Sequence, residues 1–181
     1  MSDDTVLETA IHEPAMTAGE AEMLLFALER SRAQLAWKCG GLDAAGLGRR
    51  HPPSTMTLGG LVKHLALVED WTAASKLKGQ SPGAPWDAVD FESDPDWEWR
   101  TGAEDDPQEL RATYDDCVRR ADDAIDEALA RGGLDAESVG KDSSGDPFRL
   151  RWIMLHMIEE YARHNGHADL LREAVDGETG E

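Results

Sequence analysis

The chain has 181 residues, 40% of them hydrophobic, and a formal net charge of −19. That length suits one domain with loose ends, and so negative a surface excludes the basic face that nucleic acid or an anionic membrane demands of a partner. No stretch approaches the ~18 uninterrupted apolar residues of a membrane span, and two cysteines, Cys39 and Cys117, are too few for a disulfide framework and lack metal-ligand spacing.

Residues 1–16 are polar and aperiodic, with Pro14 near their end, and read as a flexible arm. The opening "MSDDTVLETAIHEP" is acidic and has neither a basic n-region nor an apolar h-region, so no signal peptide is expected there. With reduced thiols in structural roles, the chain reads as cytoplasmic.

A bundle domain is expected over residues 17–177, followed by a polar tail at 178–181. "TAGE" offers Thr17 as N-cap and Glu20 as its capping-box partner. Met23, Leu24, Ala27, Leu28, Ser31 and Leu35 then recur at helical spacing until Gly40-Gly41 stops the first helix. A connector rich in Gly and Pro leads to a second helix from Thr57, "TLGGLVKHLALVEDWTAASKLKG", with Leu61, Leu65, Val68 and Trp71 marking its buried stripe.

Residues 79–106 carry Trp86, Trp97 and Trp99 but no sustained periodicity. A loop this long inside a compact domain is functional or disordered, and its tryptophans argue for order. It is expected to pack over the bundle, with the tryptophans as anchors. Pro107 suits the first turn of a third helix, which ends at Gly132-Gly133. A last loop, "LDAESVGKDSSGDP", precedes the fourth helix, "FRLRWIMLHMIEEYARHNGHADLLREAVDG". With no strand pattern and one long crossover, the reading is all-α, a four-helix bundle.

The fourth helix concentrates the chemistry. At about 100° per residue, His156, Glu160, His164 and His167 fall on one arc, shared with or bordered by Trp152, Ile153, Met157, Leu170 and Leu171. An ionisable stripe on a face the helix should bury needs partners, because an unpaired buried charge is costly. Glu160 and His164, spaced i, i+4, stand one above the other and can close on one ion. His64 lies on the apolar stripe of the second helix and is the candidate third ligand. Two histidines and a carboxylate suit a catalytic zinc site with an open position, and equally nickel or non-haem iron. The competing reading is an internal hydrogen-bonded pair beside a satisfied core histidine. A ferritin-like di-iron site is disfavoured, since no Glu-x-x-His pairs occur. His156, one turn before Glu160, is a candidate orienting residue, alternative ligand or catalytic base, whereas His12 and His51 sit in predicted loops and read as inert.

Together, "LVKHLALVEDW", "DPDWEWRT" and "LRWIMLHMIEEYARHNGHADLLREAVDG" resemble the DinB-like metalloenzyme superfamily, and more narrowly its branch beside the mycothiol-dependent enzymes. The similarity covers roughly residues 20–177. It implies a divalent metal held inside a four-helix bundle by His64, Glu160 and His164. Glu at position 160 departs from the commoner His-x3-His pair and matches the Glu-x3-His form of a mycothiol-dependent isomerase. His167 stands where many relatives carry Gln, and no ligand role passes to it.

The resemblance implies a metal-dependent enzyme, a thiol S-transferase or isomerase, whose partners are a small thiol such as mycothiol and an electrophilic substrate. Arg149, Arg151 and Arg163 are candidate cofactor-binding residues. A hydrolase using metal-bound water and a non-catalytic binding module are the alternatives. Bundles of this superfamily often pair, so a homodimer is expected.

Overall fold

The computed structural model describes residues 13–179. Residues 1–12 of the expected arm, His12 among them, and residues 180–181 lie outside it.

Six α-helices follow one another among the described residues: α1 (Glu20–Cys39), α2 (Ala44–Leu47), α3 (Leu58–Trp71), α4 (Trp97–Gly102), α5 (Pro107–Gly132) and α6 (Leu150–Asp176). A single π-helical turn, Thr72–Leu77, prolongs α3. The four long helices α1, α3, α5 and α6 form the bundle, with α1 against α6, α6 against α3 and α3 against α5. No helix among the described residues is long and apolar enough to cross a membrane.

Capping explains where two of these helices begin. The Thr57 hydroxyl accepts the Gly60 N–H at the start of α3, and Asp106 accepts the N–H groups of Gln108 and Glu109 while Pro107 opens α5, each satisfying donors that the first turn leaves orphaned. The expected Thr17 cap does not form. Thr17 lies in a turn, and α1 begins at Glu20 behind Gly19 with no side-chain cap.

The absence of strands was also a wrong expectation. Glu137–Lys141 (β1) and Pro147–Arg149 (β2) pair antiparallel in a small hairpin. Five and three residues are too short to display alternation, and only Ser138 and Gly140 of β1 are not fully exposed. The turn is set by Asp142, whose carboxylate accepts from Ser144 and Asp146, and by Gly145 at φ 89°, a left-handed conformation that favours glycine.

The core is built from Leu28 and Leu35 of α1, Leu58, Leu61 and Leu65 of α3, Ile125 of α5, and Leu150, Ile153, Met154 and Met157 of α6. Through it runs one buried polar chain contributed by all four long helices. Arg32 on α1 donates to both oxygens of Glu69 on α3, each at 2.7 Å. The Tyr161 hydroxyl on α6 donates to Glu69 Oε1 at 2.6 Å, and Tyr114 on α5 meets Tyr161 oxygen to oxygen at 2.7 Å. Since Tyr161 spends its proton on Glu69, Tyr114 is the donor in that second contact. Burial raises the Glu69 carboxyl above its ordinary value, and Arg32 opposes it.

Candidate metal centre

The site forms where α3, α4 and α6 meet. His64 of α3 and Glu160 and His164 of α6 each offer a ligand atom, all within 4.8 Å of one another. The three positions expected from the sequence are therefore adjacent in the fold. His164 is buried, while His64 and Glu160 are half-buried.

The location differs from a bundle core. Trp71 is 46% exposed, and Trp152 and Leu170, which border the ionisable arc of α6, are exposed at 48% and 64%. The buried stripe of α3 runs instead through Leu58, Leu61, Leu65 and Glu69, centred about 100° round the helix from His64 at 100° per residue. On α6 it runs through Ile153, Met157, Tyr161, His164 and Ala168. His64 and Glu160 thus stand at the border of the buried faces of α3 and α6, half-buried, while His164 lies within the buried face of α6.

Two histidine orientations follow from their neighbours. The Nε2 of His164 lies 3.4 Å from Glu160 Oε2, and its Nδ1 lies 3.4 Å from Nδ1 of His167. His64 has Nδ1 3.2 Å from Glu98 Oε1, and its ring stacks on Trp99 at 4.3 Å and 21°. Burial, with the charge of His64 next, pushes His164 down to about 4 against the opposing pull of Glu160. His164 is consequently neutral at neutral pH and keeps a lone pair for an ion.

The long loop carries residues the sequence reading did not single out. Glu98 is 5% exposed and its Oε2 is buried without a hydrogen-bond partner. Its one sequence signal is its place between two tryptophans in "DWEW". Trp86 is buried and meets Trp97 edge to face, and Lys63 Nζ sits 4.2 Å over the Trp97 ring. Those two tryptophans anchor the loop as expected, whereas Trp99 walls the site.

The remaining candidates are dispersed. His156 stacks on Trp152 at 5.1 Å and is held below the ordinary histidine range by burial and then by the Lys76 ammonium. Lys76, from the π-helical turn, is itself lowered by burial while Glu160 pulls the other way. No sequence pattern marked it, because a π-helical turn shifts the register that periodicity assumes. Arg163 donates to Glu160 Oε1 at 3.2 Å. Arg151 pairs with Glu20 and Asp135, and Arg149 lies near Asp135 and Glu137, so both face the hairpin end. His51 is exposed. Burial raises both cysteine thiols to about 12, which leaves them protonated.

Two nitrogen donors and one carboxylate at this spacing fit a divalent cation with a coordination position left over. Glu98 Oε1 at 3.2 Å from His64 Nδ1 is the kind of carboxylate contact that orients a metal-ligating histidine. The family model described as Mycothiol-S-transferase matches residues 23–177 of the sequence, which takes in α3, the long loop and α6. No curated protein matches the chain.

Proposed function

This chain belongs to the mycothiol S-transferase family, and from that premise we propose that it is a metal-dependent enzyme transferring a small thiol of the mycothiol type to an electrophilic substrate. The observation that carries the reading is the convergence of His64, Glu160 and His164 within 4.8 Å. Zinc suits this set best, as a closed-shell ion content with nitrogen and oxygen donors and an open position, with nickel and iron as competitors.

A divalent cation bound there favours the thiolate form of the small thiol at neutral pH. The chain's own residues set the conditions for that. His164 stays neutral through burial, so no proton competes for its lone pair. Glu160 would supply the carboxylate ligand, and Arg163 donates to its Oε1 at 3.2 Å. Trp99 and His64 form a flat aromatic wall on one side, and the Trp152–His156 stack lines the α6 side one turn away from Glu160. Lys76, half-buried with its Nζ 5.7 Å over the Trp152 ring, would draw a departing anion or a polarised oxygen of the electrophile.

The test is a bimane assay with protein reconstituted in turn with zinc, nickel and iron. The reading expects the thiol–bimane adduct from mycothiol and monochlorobimane to form above the uncatalysed rate, in a metal-dependent manner, and to be lost in His64→Ala. Ester or amide cleavage without thiol consumption would instead place water as the nucleophile. No thiol-dependent turnover in any metal-loaded form would overturn the reading.

A further inference from the structure

We propose that Glu98 is a positioning residue that accepts the Nδ1 proton of His64, fixes its tautomer and leaves Nε2 as the ligand atom. The inference rests on the reading of His64 as a ligand, but its central observation does not need a metal.

The geometry is specific. Oε1 of Glu98 lies 3.2 Å from His64 Nδ1, and a carboxylate can only accept, so the proton of a neutral ring sits on Nδ1. Glu98 is 5% exposed, and its other oxygen has no partner. A carboxylate held out of water with one contact is expensive, so its position is imposed by the surrounding fold. That fold is visible. A Cβ at Gly60 would stand 2.8 Å from the Trp99 carbonyl oxygen, and one at Gly102 would stand 2.6 Å from the carbonyl oxygen of Gly59. Helix α4 thus lies backbone to backbone on the first turn of α3, which delivers Glu98 to one edge of the imidazole and Trp99 to its face. The edge contact fixes which nitrogen is protonated, and the stack opposes rotation of the ring.

A histidine whose far nitrogen donates to a carboxylate is both oriented and more basic at the near nitrogen, and loss of such a partner weakens metal binding by about tenfold to a hundredfold. His164 has an analogous neighbour in His167, but that contact is longer and offers no carboxylate, so the stronger claim belongs to Glu98.

Two measurements on the full chain test this. The first is the His64 tautomer in metal-free protein, read from long-range nitrogen–proton NMR correlations in the parent, Glu98→Gln and Glu98→Ala. The expected result is a single Nδ1–H tautomer in the parent and a mixture in Glu98→Ala, with the nearly isosteric Glu98→Gln as the variant that keeps the fold. An Nε2–H tautomer in the parent, or one unchanged by both substitutions, overturns the proposal. The second is zinc affinity by competition with a chromophoric chelator, expected to weaken about tenfold to a hundredfold in Glu98→Ala and less in Glu98→Gln. Equal affinity in all three overturns the proposal. If the parent binds no zinc while its tautomer is locked and released as expected, the ligand reading fails and the positioning by Glu98 stands.

Discussion

Gly59 of α3 and Gly102 of α4 touch through their backbones, so closely that a Cβ added at Gly59 would lie 2.1 Å from the Gly102 carbonyl oxygen. No flexible side chain can yield there, because the obstructing atom is main chain. Gly59→Ala must therefore push α4 away from α3. The expected cost is about 1–3 kcal/mol, as for other overpacked contacts, and Glu98 and Trp99 should move off His64 with the helix. Denaturant melts and zinc affinity of Gly59→Ala check this. Gly83→Ala, where a Cβ would meet nothing within 4 Å, is the control and should leave metal affinity unchanged.

Arg32 is the cation that makes a fully buried Glu69 tolerable. Its removal leaves Glu69 with only the Tyr161 hydroxyl as partner, in a core position with no exposed surface. Arg32→Ala is expected to cost about 3–5 kcal/mol, the usual penalty for breaking a buried pair from one side. Tyr161→Phe, which removes one hydrogen-bond donor to the same carboxylate, should cost about 1–3 kcal/mol. Urea titrations measure both. A loss under 1 kcal/mol in Arg32→Ala would mean that water reaches Glu69.

His156 should titrate below the ordinary histidine value of 6.5 in metal-free protein, because burial and then Lys76 disfavour its charged form. In the unfolded chain it takes its proton near 6.5, so as pH falls below that value the unfolded state binds a proton the native state still refuses. This group therefore withdraws stability from pH 6.5 down to its native value and has no effect above 6.5. Lys76→Met removes the second cause and should raise the His156 midpoint, while burial keeps it below 6.5. NMR titration of the imidazole carbon-bound protons reads this directly, and an unchanged midpoint would mean that Lys76 does not face His156.

The candidate site was legible in the sequence because its three residues are carried by long, strongly periodic helices. Glu160 and His164 declare their adjacency through i, i+4 spacing, and His64 is the lone imidazole of another such helix. Burial was read less well. Trp71, Trp152 and Leu170 look like core residues by type and phase, yet they are exposed, because the site stands at the rim of the bundle and periodicity gives direction around a helix without telling where the neighbouring helix ends. Glu98 and Lys76 could not be found by spacing at all. Glu98 rides on a six-residue helix inside a long loop, placed by a glycine contact distant in sequence, and Lys76 lies in a π-helical turn that departs from the α-helical register. The β1–β2 hairpin escaped for a related reason, since its two strands together span too few residues to establish alternation.

The proposed thiol chemistry requires that His64, Glu160 and His164 hold one ion. Metal content by mass spectrometry of untagged protein, beside His64→Ala and Glu160→Ala, decides it. One equivalent of divalent metal in the parent, lost from both variants while their helical circular dichroism is kept, is the predicted result. A parent that takes up no zinc, nickel or iron on reconstitution would make the cluster a buried polar network, and the proposed thiol chemistry would have no centre.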